Sequence, residues 1–435
     1  MRDIVIALII FGGVPVALFQ PHVGVLLWSW ISYMNPHRLA FGFAYDFPFA
    51  AVIGGATLLG LLFVRDRQRL PMTPITMVWL LFVVWMCFTT LFALHPDDAF
   101  LEWKRTMKIM LIAFVTVMLM ARRDRLHLLI WVIVLSLGFY AVKGALFTLT
   151  HDTGGLNLVW GPEGSFIEDN NALAFALIMI LPLMRYLHLV TENKWIKRGL
   201  LAMMLLTVIA IVGSHSRGAL LAGVAIGLYF WFKSDNRFRI AVALVLIGAL
   251  VAAIAPPVWV ERMETIRTYE QDPSAMGRIN AWWVAVNLTK DRPIVGGGFN
   301  TFQEDTFARY APEPENVHDA HSIYFEVLGE HGYVGLILFL FLGILALRNG
   351  KWIMRATRDR PDLKWAGQLA AMLQVSLIGY ATGGAFLGLA YFDLYYHLVA
   401  LLIITRILVE QALQPNAVSP FGVKAGAERL SGEYP

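Results

Sequence analysis

The run from Arg198 to Lys233, RGLLAMMLLTVIAIVGSHSRGALLAGVAIGLYFWFK, sets two apolar segments end to end with only Ser214-His215-Ser216-Arg217 between them. Each segment is nearly long enough to cross a hydrocarbon core, which takes roughly 17 to 25 apolar residues. The pair therefore reads as two membrane helices joined by a polar turn too short to be a solvated loop.

Apolar runs of this kind recur along almost the whole chain. Of its 435 residues, 58% are hydrophobic and only 15% charged, and the mean hydropathy is +0.61. Such a composition excludes a soluble domain of this length. The fold class expected is an all-α polytopic membrane protein. Its spans fall at about 4–34 (broken at Pro15 and Pro21), 48–64, 74–94, 104–121, 126–149, 170–190, 198–213, 218–232, 238–256, 321–347, 365–388 and 393–410, twelve crossings. The first is either one broken helix or two short ones, which would make thirteen. The amino-terminal apolar segment has no small-residue cleavage site and reads as retained.

Charge arbitrates the orientation, because short cytoplasmic loops carry the excess of Lys and Arg. Arg65 to Arg69, Arg122 to Arg125, Lys194 to Arg198, Lys233 to Arg239 and Arg348 to Lys364 are the basic connections. Twelve crossings put all of these inside, with both termini cytoplasmic. The connections 95–103, 150–169 and 257–320 are then periplasmic. The expected organisation is N-terminal membrane helices over 1–256, a large periplasmic lid over 257–320, C-terminal membrane helices over 321–410 and a cytoplasmic tail over 411–435. The lid has folded-domain composition, with Trp259, Trp282, Trp283, Phe299, Phe302, Phe307 and Tyr310 as apolar anchors and a helical rhythm over 278–290.

The basic residues that raise the isoelectric point to about 9.1 are scattered through short loops. They anchor the chain to a membrane and do not form a nucleic-acid footprint. The single cysteine, Cys87, lies inside an apolar run and supports neither a disulfide framework nor a cysteine metal site.

Ionisable residues at the membrane edge are informative, since charge near hydrocarbon needs a partner or a task. Arg217, beside His215, either snorkels to lipid headgroups or holds a phosphate bidentately. Arg278, near the start of a helix, could join its charge to free backbone N–H groups to hold an anion, although a lone loop arginine is more often a surface residue. His318 and His321 sit where the long segment re-enters the membrane, with Asp319 and Tyr324 nearby. Either histidine could act as a general base, with Asp319 fixing its tautomer. A metal site on these two lacks a third ligand of known spacing, and none is expected. Glu168, Asp169, Asn170 and Asn171 open a span, the asparagines as a cap or as contacts to sugar hydroxyls. Gly296-Gly297-Gly298 lacks the strand-to-helix context of a nucleotide fingerprint and reads as a tight turn.

In this order the residues resemble the superfamily of O-antigen ligases, O-antigen polymerases and bacterial protein O-oligosaccharyltransferases. His321-Ser322, nine residues, then Gly332-Tyr333-Val334-Gly335 matches the ligase pattern H-[NSQ]-x9-G-x-x-[GTY]. Arg217 with Leu221 matches its R-x3-L element, and Arg278 with Trp282 its R-x3-W element. Asp291 to Phe299 resembles the glycine-bearing stretch of the family's large loop, and Asn171 to Ala174 the N-x-x-A start of a helix. The segment from Trp28 to Arg38 resembles a subgroup of O-glycosylation ligases found with exosortase systems. The resemblance implies a GT-C-like membrane glycosyltransferase of the Gram-negative inner membrane. Its donor would be an undecaprenyl-diphosphate-linked glycan and its acceptor lipid A-core oligosaccharide, with no cofactor. Arg217 and Arg278 would bind the diphosphate and His321 would act as base, giving direct, metal-independent displacement with inversion. His215, His318, Asp319, Tyr324 and Asn171 would support them. Polymerase and protein-acceptor readings share the donor. A flippase or other transporter is the rival from another class, opposed by the gathering of polar clusters at one face and by the lack of a clear repeat.

Overall fold

The computed structural model describes residues 1–151, 158–233, 236–255, 257–264, 270 and 272–414. The expected tail beyond Gln414 lies outside them. The described chain is helical throughout, with no strand. In order the helices are α1 (Arg2–Phe19), α2 (Pro21–Met34), α3 (Phe49–Phe63), α4 (Pro74–Thr90), α5 (Pro96–Leu119), α6 (Arg123–Thr150), α7 (Asn170–Val190) and α8 (Lys194–Gly213). They continue as α9 (Arg217–Lys233), α10 (Arg237–Ile254), α11 (Pro257–Glu264), α12 (Pro273–Asp291), α13 (Glu304–Tyr310), α14 (Ile323–Ala356), α15 (Lys364–Gly383) and α16 (Asp393–Leu413). Seven membrane-length apolar segments are present among the described residues: α1, α6, α7, α8, α14, α16, and the stretch Pro361–Phe386 that contains α15. Among the other expected crossings, those on α3 and α4 are shorter and the one on α5 is more charged.

The first expected crossing resolves into two helices. Pro15 lies inside an unbroken α1, whereas Pro21 starts α2, where its missing N–H costs nothing. The two are antiparallel, since Gly13 faces Leu27 and Gly24 faces Ala17. The amino terminus is thereby returned to the end of α2. Asp3 accepts from the backbone N–H groups of Gly42 (3.0 Å) and Ala44 (3.2 Å), and Tyr45 donates to Glu163 (2.9 Å). The amino terminus therefore lies at the end of the bundle that carries 158–169 and 273–320, and α16 ends at the opposite, arginine-rich face, so the two described chain ends do not share a face as expected.

The long segment packs as a folded cap. Ala281, Val284 and Leu288 of α12 close on Phe307 and Tyr310 of α13 in a small core of their own, and Phe299 is fully buried against the main one. Trp282 stacks on Phe325 at 4.9 Å. Trp283, expected as an anchor, is instead about half exposed, at 49%. Helix α12 begins before the expected 278 because the Asp272 carboxylate caps it, accepting from Ser274 and Ala275.

What joins this cap to the bundle is an interruption in α14. At Gly332 the backbone leaves the helix (φ 66°, ψ −170°), so nearby carbonyls lose their helical donors. The N–H groups of Gly297 and Gly298 donate to the carbonyls of Gly329 and Glu330 (2.8 Å each), and Trp85 of α4 donates its indole N–H to that of His331 (2.9 Å). In return Tyr333 donates to the carbonyl of Pro293 (2.9 Å). The glycines at 296–298 do form a turn, and it is a turn docked into a broken helix.

Two outcomes follow. A Cβ at Gly332 would lie 2.4 Å from the Ile294 carbonyl oxygen at a left-handed φ, so Gly332→Ala is expected to lower the melting temperature in detergent by the equivalent of about 1–3 kcal/mol. Gly55→Ala, with open space around it, should leave the melt unchanged. In a Cys87→Ala background, cysteines at Arg2 and Glu315 should react with an impermeant maleimide from one side of the membrane and a cysteine at Asp359 from the other. Labelling of Arg2 together with Asp359 would refute the α1–α2 hairpin.

Candidate functional site

Three chain segments meet at the long-segment face. The first is the turn between α8 and α9, where Ser214, His215 and Ser216 are buried and His215 takes a left-handed φ of 56°. The amide of Asn170 donates to the Ser214 carbonyl (2.6 Å) and ties this turn to the start of α7. Asp169, not an asparagine, is the α7 cap, accepting from Asn171 (2.8 Å) and Ala172 (3.2 Å). Asn171 is left facing a small pocket.

Arg217 opens α9 and Arg278 sits on α12, far apart in sequence, and both line that pocket with Asn171, Ser216 and Gly218. Asp272 organises the two. It pairs with Arg217 and also caps the helix that carries Arg278. Burial pushes the Asp272 carboxyl up, but the Arg217 hydrogen bond and charge, with the Ser274 and Ala275 N–H groups, outweigh it and hold it below the usual carboxylate range. The sequence reading missed Asp272, although a carboxylate immediately before Pro273 was a legible cap signal.

The second segment is 318–322. His321 has a left-handed φ of 41° just before α14 begins, and Trp282 of α12 donates to the Ala320 carbonyl (2.8 Å), fixing the approach. Burial, then the Arg278 charge, lowers the His321 pKa, against the opposing pull of Asp319 and Asp169. Neutral imidazole is the form favoured. His318 instead packs its ring against Gly277 and faces neither pocket. No hydrogen bond joins Asp319 to either histidine among the described residues, so the expected tautomer contact is absent. Tyr324 donates to the Ala381 carbonyl (2.7 Å), an α14 to α15 tie away from the pockets.

The third segment is 387–391. Leu387 lines the small cationic pocket and also a much larger cavity of about 590 Å³. His321 opens into the larger one. Its floor is Glu326 and Glu330, one turn apart on α14. Glu326 accepts from the Ala390 N–H (3.0 Å), while Glu330 accepts from the Asn300 N–H (2.8 Å) and the Tyr391 hydroxyl (2.5 Å). Glu102 and Arg105 of α5 and Trp160 and Phe166 of the 158–169 segment form the rest of its mouth. Sequence reasoning passed over the two α14 glutamates, although carboxylates four residues apart in an apolar helix are a recognised signal of function.

Residues 202–340, which contain Arg217, Arg278, His321 and Gly332, match the family model described as O-antigen ligase. Residues 1–192 match a family of unknown function, DUF5935. That match carries no functional description, so the likeness of 28–38 to exosortase-associated ligases stands without support. No curated protein matches the chain.

Asp272 separates two contributions. Asn caps a helix as well as Asp does, and Ala forfeits about 1 kcal/mol, so Asp272→Ala should melt below Asp272→Asn in detergent. With its pKa depressed in the fold, Asp272 contributes stability above the ordinary carboxylate range and loses it as pH falls through the folded value. The gap in melting temperature between wild type and Asp272→Asn should therefore hold from pH 7 down to the ordinary carboxylate range and close as pH falls through the lower folded value. A constant gap would mean that the ion pair adds nothing.

Proposed function

We propose that this membrane protein moves a glycan from undecaprenyl diphosphate to lipid A-core oligosaccharide at the periplasmic face of the inner membrane, a reading supported by the match of residues 202–340 to the O-antigen ligase family model. The observation that carries this reading is the position of His321, in the wall of a sugar-sized cavity beside a pocket bearing two arginines. The arginine-rich connections at the opposite end of the bundle support the periplasmic orientation of this face.

The reaction needs one bond formed and one broken. The acceptor hydroxyl attacks the anomeric carbon while the bond from that carbon to the phosphate oxygen breaks, and its electron pair stays on the diphosphate. Arg217 and Arg278, partly withdrawn from water, stabilise that charge better than solvent would. His321 takes the hydroxyl proton as the new bond forms and later releases it to water. With the leaving group held on one side and the acceptor arriving from the other, displacement is direct and the anomeric centre inverts. The cationic charge comes from arginines, so transfer is expected to persist in chelator.

Purified protein in detergent with donor, lipid A-core and chelator should yield a heavier glycolipid. His321→Ala should reduce the rate by about 10²–10⁴-fold, and Arg217→Ala or Arg278→Ala by about 10²–10³-fold. Because the His321 pKa is lowered, the base is neutral at pH 7, and the acid limb of kcat/KM should have its midpoint below the ordinary imidazole value of about 6.5. Lengthened lipid-linked polymer with no glycan on the second carrier would replace ligation by polymerisation. Undiminished transfer in Arg217→Ala would remove the diphosphate assignment.

A further inference from the structure

Resting on the ligase reading, we infer that the cavity beside His321 is the acceptor subsite and that it selects an uncharged or amino sugar over a phosphorylated or otherwise anionic one. Its place follows from the chemistry. A base must touch the attacking hydroxyl, and His321 opens into the large cavity, while the arginines that suit the leaving diphosphate lie across Leu387 in the smaller pocket. The acceptor therefore enters through the large cavity.

Its volume of about 590 Å³ lies within the usual range for small-ligand pockets. Trp160, 55% exposed at the mouth, offers a broad ring face of the kind a sugar can stack on. On the floor, Tyr391 and the Asn300 backbone hold the Glu330 carboxyl, and the Ala390 backbone N–H holds one oxygen of Glu326. This leaves hydrogen-bonding surface suited to sugar hydroxyls and to a sugar ammonium group.

Charge sets the selectivity. Among the described residues, Glu102, Glu168, Asp169 and Asp319 all border the cavity, against the single Arg or Lys there, Arg105. That cation is already engaged, lying 3.6 Å over the Phe166 ring and 3.8 Å from Glu102. An anionic group on the acceptor meets an excess of carboxylates over cations here, and like-charge juxtaposition of this kind discriminates between ligands. The two pockets thus have opposite preferences, one for the anionic leaving group and one against an anionic acceptor.

The test uses the full-length protein in detergent with three matched lipid-linked acceptors, ending in a neutral hexose, a hexosamine with a free amine, or a hexose phosphate. The neutral and amino acceptors should be used with a kcat/KM at least about tenfold above that of the phosphorylated one. Glu102→Lys should narrow the gap by raising use of the phosphorylated acceptor, a gain that structural damage does not produce. Equal or better use of the phosphorylated acceptor by wild type would overturn the inference. Binding of the corresponding soluble oligosaccharides, followed by tryptophan fluorescence with Trp160→Phe as control, keeps the two claims separable. Preferential binding of neutral and amino sugars without transfer to any acceptor would sink ligation and leave the selectivity standing; binding without regard to charge would sink the selectivity.

Discussion

A helix interrupted at the edge of a bilayer exposes carbonyls that lipid cannot satisfy, and the constraint is severe because each unsatisfied group costs on the order of a few kcal/mol. In α14 the interruption at Gly332 is met from outside the helix, by Gly297, Gly298 and the Trp85 indole. That exchange makes the long external segment part of the fold. With it in place, α12 and Arg278 are held over α14, Asn300 reaches Glu330, and the 387–391 connection closes on Glu326 and Glu330. The cavity and the pocket exist because the broken helix has partners.

Electrostatics divides the face so built. Arg217 and Arg278 are on one side of Leu387, Arg217 paired with a carboxylate that also caps the helix bearing Arg278, and most of the carboxylates are on the other. His321 lies between, kept toward its neutral form by burial and by Arg278. Each of these groups would be ordinary alone. Under the proposed reaction, their arrangement would separate stabilisation of a leaving anion from removal of a proton, the two requirements of displacement at a sugar carbon.

Much of the fold is legible in the sequence. Long apolar runs demand helices in lipid, and the interval from His321 to Gly332 turned out to measure the short helical stretch between a strained approach and a helix break. Arg217 and Arg278, each singled out in the sequence, line one pocket. Other parts were hidden for physical reasons. The Pro21 break could not be read as one crossing or two, because proline is equally at home at a kink and at the first turn of a new helix. Glu326 and Glu330 were masked by the apolar residues around them, and Asp272 by its dual role, since a cap and an ion-pair partner look alike in one dimension.

What the sequence determined by itself is therefore whatever is decided locally: spans set by hydrocarbon thickness, turns set by glycine, and the chemistry that arginine and histidine can perform. What tertiary structure decided is which of those groups meet. His321 and not His318 opens into the cavity, Tyr324 is turned away to tie helices together, and the amino terminus returns to the face of the long segment. These outcomes depend on helix pairing and on the relief of unsatisfied backbone groups between segments far apart in the chain, and neither is encoded in any single stretch.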